Sequence, residues 1–281
     1  EQLGMRVILY DEDYYPSGGA RTHTLENAPS DENWEAQGLV HQTKNLVKGE
    51  KVTIESLYGH KLIHALVYPQ GNLNSLNPEE AVDLLDTYHE GDEYTPSSNG
   101  LLVLLYSKNW YEGTHYQNNL MESRRYIDLL KDQPVQEFIY NPTNYLPYLF
   151  EKSNNNDAIR RFRWQYYELI ADLVENNFFT QISSWCESHN VNSAGHLLCE
   201  EDISDHPLMM GNYMNNYHQM SIPGIDMTHG AASDAISIGA NVAKQATSIS
   251  EFDNKEYTFC EIGQDEGAVS DVNENIANVA T

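Results

Sequence analysis

The chain has 281 residues, 42 of them acidic against 16 basic, for a formal net charge of −26. This balance argues against nucleic acid and an anionic membrane surface as partners, since both are bound largely through Lys and Arg. It leaves neutral sugars, cationic ligands and metal ions as compatible ones, and solubility or a salty habitat accounts for the charge equally well. The 40% hydrophobic fraction fits a soluble globular protein, and no apolar run reaches the ~18 residues of a membrane span.

The chain opens on "EQLGMRVILY", with no initiator Met and no signal-peptide pattern. It therefore reads as a fragment or a processed chain, and secretion or a periplasmic location is compatible with it. Cys186, Cys199 and Cys260 are odd in number and show no CxxC spacing, so they form neither a disulfide framework nor a zinc motif.

"GMRVILYDE" (4–12) predicts a short buried strand ending in Asp11 and Glu12, and "YYPSGGA" (14–20) a turn set by Pro16, Gly18 and Gly19. Residues 36–70 predict a β-hairpin or small sheet around Tyr58 and Gly59. The apolar spacing of "NPEEAVDLLDTY" (77–88) predicts a helix, and "LLVLLYS" (101–107) a buried strand. Three prolines break 126–152 into short helices and turns.

Residues 154–190 predict a long amphipathic helix capped by Asn156 or Asp157. Its apolar residues, from Ile159, Phe162, Tyr166 and Ile170 to Ile182 and Trp185, recur at three- and four-residue steps. Beyond it, "VNSAGHLL" (191–198), "IPGIDMT" (222–228) and "EYTFCEIG" (256–263) predict strands. Helical patterns at 206–220 and 234–250 separate them. Strands alternating with helices imply parallel βα units.

Acids gather where these strands end: Asp11 and Glu12, Glu200 and Glu201, Asp226, and Glu261. In a parallel barrel all strand C-termini open on one face, so acids distant in sequence would converge there. Glycoside hydrolysis needs such a set, one acid to protonate the leaving oxygen and another to attack the anomeric carbon or activate water. Taken singly, each acid could equally cap a helix or lie in solvent. His196 suits a hydrogen bond to substrate or a structural one. His196, Glu200 and Glu201 together could hold a metal, carboxylates suiting calcium and imidazole zinc. Cys199 and Cys260 read as small buried packing residues. Tyr14 and Tyr15, beside "DED", are the better sugar-stacking candidates among the aromatic residues.

"GMRVILYDEDYYPSGGA", "WCESHNVNSAGHLLCEE", "YHQMSIPGID" and "YTFCEIG", in this order, resemble bacterial glycosyl hydrolase barrels similar to the α-L-rhamnosidases of glycoside hydrolase family 106 and related unassigned glycosidases. The resemblance covers roughly residues 1–30 and 120–263. It implies a (β/α)8 TIM-type barrel, complete or not, as one catalytic domain over residues 1–281 with 36–70 as a β-rich insertion. It further implies a carbohydrate substrate and no organic cofactor, with a calcium ion compatible.

Carried over by residue, the resemblance makes Glu261 the nucleophile or general base and has His196 and Glu201 contact sugar hydroxyls or assist proton transfer. Glu201 is taken as the second catalytic group because the usual acid position has no counterpart here. His196, Glu200, Asp226, Asp11, Glu12 and Tyr14 would line the substrate pocket. The acidic strand end of the type "FTDEP" that such barrels carry is missing here, since "EFIY" (137–140) runs directly into "NPTNYLPYLF" (141–150). Three explanations stay open. Part of the chain is lost, or Glu200 or Glu201 supplies the proton, or the chain is a non-catalytic carbohydrate-binding or structural barrel.

Overall fold

The strand predicted at 101–107 is the centre of the first sheet. The computed structural model describes residues 37–69, 77–109, 141–150, 156–197, 200–201, 203–204, 206–227 and 240–262. The elements expected at 4–12 and 14–20, with Asp11, Glu12 and Tyr14, lie outside them, as does Cys199. The chain divides into two compact units, Glu1–Arg160 and Arg161–Thr281.

In the first unit, β1 (Gln37–Leu46), β3 (His60–Pro69), β4 (Val82–Asp83) and β6 (Gly100–Asn109) form an antiparallel sheet in the order β1-β6-β3-β4. β2 (Val52–Thr53) and β5 (Glu93–Tyr94) pair separately. Leu101 to Tyr106 are all buried, as an unbroken apolar run requires of a strand covered on both faces. Leu102, Leu104 and Tyr106 pack with Leu46, Ile54, Leu62, Ala65 and Leu84 on one side. On the other, the Tyr68 hydroxyl donates to the Asn144 carbonyl at 2.7 Å. That bond ties the sheet to the 3-10 segment Pro142–Phe150.

Two expectations change here. The turn at Tyr58–Gly59 exists, with Gly59 at φ +74 and the His60 amide donating to Leu57 O at 3.0 Å. It does not make a hairpin of β1 and β3, because β6 is inserted between them. The helix expected at 77–88 is instead a 3-10 turn, Pro78–Glu80, followed by edge strand β4. The Asp83 carboxylate explains the difference. It accepts from the amides of Ala65 and Leu85, each at 3.1 Å, and lies 2.6 Å from His64 Nδ1. An Asp that binds backbone amides in this way competes with the helical ladder.

The second unit is built on helices and a parallel sheet. The long helix is observed as α1 (Asp157–Val174), a π turn at Glu175–Phe179 and α2 (Thr180–Ser188). Asn156 caps it, its side chain accepting from the Ala158 amide at 2.8 Å. Ile159, Phe162, Tyr166 and Ile170 are buried as the spacing predicts, whereas Ile182 and Trp185 are exposed. The π turn carries an i→i+5 bond, from the Thr180 amide to Glu175 O. Its wider turn puts later positions out of step with the stripe set by α1.

Three short strands, β7 (Ala194–Gly195), β8 (Ile222–Met227) and β9 (Phe259–Ile262), pair in parallel in sequence order. α3 (His206–Met209) and α4 (Tyr213–Gln219) connect the first two strands, and α5 (Ala240–Phe252) lies between the last two. The expected βα alternation is therefore present over this stretch. Tyr213, Tyr217, Val242, Ala246 and Ile249 pack with Leu197 and Ile225 in one core.

The (β/α)8 barrel is not what these residues form. The parallel strands make an open three-stranded sheet, and the remaining described strands are antiparallel. A closed barrel needs eight parallel strands, each followed by a helix. Among the described residues from β1 to β6 no α-helix intervenes, and antiparallel pairing needs no helical crossover. The architecture is mixed α/β without a closed barrel among the described residues.

Candidate active site

Strand register decides which acids meet. Asp226 on β8 is the direct partner of Glu261 on β9, and His196 follows the last residue of β7. Ser193 and Ser221 hold the start of the sheet in register. The Ser193 amide donates to Ser221 Oγ at 3.2 Å, and the Ser221 amide donates to Ser193 Oγ at 3.0 Å. Gly224, two residues before Asp226, permits the close approach of β9. A Cβ there would lie 2.1 Å from the Phe259 ring.

One ligating atom each from His196, Asp226 and Glu261 falls within a 4.8 Å cluster, and all three residues are half-buried. His196 Nε2 lies 3.3 Å from Glu261 Oε2. On the other side of the ring, Nδ1 is 2.8 Å from Leu197 O and 3.6 Å from Glu200 Oε1. The Asp226 Oδ1 atom is buried and accepts no hydrogen bond from the described residues.

Glu200 supports the group from behind. It is buried, and its Oε1 accepts from the Leu197 amide at 2.8 Å. Its backbone carbonyl accepts from His206 Nε2 at 3.1 Å and Gln245 Nε2 at 2.9 Å. His206 in turn stacks on Tyr213, with centroids 3.6 Å apart. Glu200 thus belongs to the scaffold that sets the His196 loop. Glu201, the next residue, is exposed.

The electrostatics follow from this crowding. Burial works against a charged His196, but the carboxylate of Glu200, the Leu197 carbonyl and the charge of Asp226 outweigh it and raise the imidazole to about 9. For Asp226, burial is the largest influence. His196 opposes it, Glu261, Glu200 and Glu201 reinforce it, and the carboxyl is pushed up to about 6. Burial, with Asp226, Glu200 and Glu261 nearby, pushes the Cys260 thiol up to about 11. Such a thiol is a poor nucleophile at neutral pH. Cys260 is also exposed, so the expectation of a buried packing residue does not hold for it.

Of the residues proposed from sequence, the structure gathers His196, Asp226 and Glu261 and places Glu200 behind them. Glu201 sits at the neighbouring turn, close enough to act on the charge of Asp226. His206 and Gln245 escaped the sequence analysis. Each reaches Glu200 through its main-chain carbonyl, and a side chain held to backbone across the fold leaves no spacing signal. No helix of the described residues is long and apolar enough to cross a membrane. No protein-family model, curated protein or solved structure matches the chain.

Proposed function

We propose that the chain is a glycoside hydrolase that cleaves a glycosidic bond with a pair of carboxylates. The observation that carries this reading is the in-register placement of Asp226 and Glu261 on adjacent parallel strands, with the His196 imidazole 3.3 Å from Glu261. The resemblance of the surrounding sequence to α-L-rhamnosidase-like hydrolases points to the same substrate class.

The roles follow from position. Glu261, facing His196, acts as the anionic nucleophile on the anomeric carbon. Asp226, with one buried oxygen, donates a proton to the leaving glycosidic oxygen. Water then attacks the glycosyl-enzyme bond as Asp226 takes back a proton, freeing the sugar and Glu261. A carboxyl separation of ~5–5.5 Å would fit this retaining scheme and one of ~6.5–9.5 Å an inverting one. Asp226 therefore takes the part that sequence alone gave to Glu201, and Glu201 is left to contact substrate hydroxyls.

A panel of aryl glycosides that includes the α-L-rhamnoside tests the proposal. Release of the aryl group by the native chain is expected. Asp226→Asn and Glu261→Gln should each lower kcat by about 10²–10⁴-fold, with a smaller effect for Glu201→Gln. Cleavage unchanged by Glu261→Gln would overturn the assignment. Sugar binding without cleavage of any glycoside would favour a non-catalytic carbohydrate-binding protein.

A further inference from the structure

We infer that His196 Nε2, Asp226 and Glu261 form a binding site for a divalent transition-metal ion, and that an ion held there blocks the carboxylates. The binding stands on the geometry alone, while the blocking rests on the hydrolase reading given above.

Three observations carry the site. The first is convergence: an imidazole just past the end of β7 and two carboxylates on β8 and β9 bring one donor atom each into a 4.8 Å cluster. Two donors each ~2.0–2.2 Å from a shared ion stand about 3.0–3.5 Å apart. His196 Nε2 and Glu261 Oε2 are already 3.3 Å apart, so that pair stands at ligating separation, with an Asp226 oxygen in the same 4.8 Å cluster.

The second is the orientation of the imidazole. Nδ1 is directed at the Leu197 carbonyl at 2.8 Å, which fixes the ring and leaves Nε2 to face the carboxylates. Metal-binding histidines are held in this way, one ring nitrogen donating to a carbonyl or carboxylate while the other ligates. Glu200 Oε1, 3.6 Å from Nδ1, adds negative charge on the same side.

The third is Asp226 Oδ1, a buried carboxylate oxygen that accepts no hydrogen bond from the described residues. A buried acceptor left this way needs a physical account, and an ion is one such account. The donor set also selects the class of ion. Calcium takes six to eight oxygen ligands, whereas one imidazole with two carboxylates suits zinc, manganese or cobalt.

The ion would occupy the atoms that the hydrolase reading assigns to nucleophile and proton donor, so metal and glycoside would compete. The test uses the full chain stripped with EDTA and titrated by calorimetry with zinc, manganese and calcium chlorides. Cobalt chloride serves as a visible-absorption probe.

One zinc per chain is expected, calcium binding more weakly, and cobalt giving d–d absorption that zinc displaces. His196→Gln and Asp226→Asn should each weaken zinc by at least the ~10–100-fold that outer-shell partners alone carry. His218→Gln, at a histidine paired with Asp253, should leave it unchanged. Zinc that binds equally to native and triad variants would be diffuse attraction to the acidic surface and would overturn the site. Absence of the cobalt band in the native chain would overturn it without any variant.

Where a cleaved glycoside is found, zinc should inhibit its turnover and EDTA restore it. Saturating zinc without inhibition would overturn the blocking. A chain that binds zinc through the triad but cleaves nothing would leave the metal site standing and remove the hydrolase reading alone.

Discussion

Asp226 and Glu261 are direct partners across β8 and β9. Register partners in a parallel pair point to the same face, so two negative groups are held side by side by backbone geometry rather than by flexible side chains. Like charges placed this way resist being ionised together. His196, facing Glu261 at 3.3 Å, is the cationic group that makes the arrangement tolerable.

Glu200→Ala tests the scaffold behind this site. The buried carboxylate accepts the Leu197 amide at 2.8 Å. Removing it leaves that donor without its partner, at a cost of about 1–3 kcal/mol. Chemical denaturation should show the loss of stability. Retention of full stability would mean that the amide finds another acceptor.

Gly224→Ala tests the closeness of β8 to β9. The new methyl would meet the Phe259 ring at 2.1 Å, and forcing extra volume into packed structure costs about 1–3 kcal/mol. The expected result is a lower Tm. An unchanged melting curve would show that the Phe259 ring swings aside freely.

Lys255 secures the end of α4. Its Nζ donates to the carbonyls of Tyr217, His218 and Met220 at 3.1, 2.7 and 2.6 Å, and lies 3.2 Å from Asp253. The three carbonyls cluster at the helix end, where carbonyls run short of intrahelical partners, although the Tyr217 carbonyl also accepts from the Met220 amide at 3.2 Å. Lys255→Met keeps the aliphatic stem and removes the charge. About 2–3 kcal/mol should be lost on the scale of a charged hydrogen bond, measured by urea unfolding.

The first unit offers a pH signature through Asp83. Burial works against its charged form, but His64 and the amides of Ala65 and Leu85 outweigh it and hold the carboxyl below its ordinary value of 3.8. A depressed carboxylate stabilises the fold above the unfolded value, and the contribution disappears as pH falls through the folded one. The stability gap between the native chain and Asp83→Asn should be full at neutral pH and close progressively below 3.8. A gap that persists into stronger acid would assign the effect to packing instead.

Some of this was legible in the sequence because one periodicity governed it. Ile159, Phe162, Tyr166 and Ile170 declare their helix face through 3.6-residue spacing, and Leu101–Tyr106 declare a doubly covered strand. Ile182 and Trp185 did not follow, because periodicity assumes α geometry throughout and the π turn breaks it. The 77–88 segment failed for a different reason. Its spacing is helical, but Asp83 is held by the Ala65 amide and the His64 imidazole on β3, remote in sequence. At the site, the strand-end rule picked out Asp226 and Glu261. Which of the adjacent Glu200 and Glu201 turns inward depends on the Leu197 amide, His206 and Gln245, and no spacing encodes that.

The placement of β6 also sets the timetable of assembly. β1 is finished at Leu46 and β3 at Pro69, yet neither bonds to the other. Both wait for a strand that ends at Asn109. During synthesis, each therefore leaves the ribosome with open edges of the kind that recruit foreign strands. Pairing at such sequence separation makes a high contact order, and high contact order slows folding. For the first unit, the hazardous interval in the life of this molecule falls between the emergence of β3 and the arrival of β6.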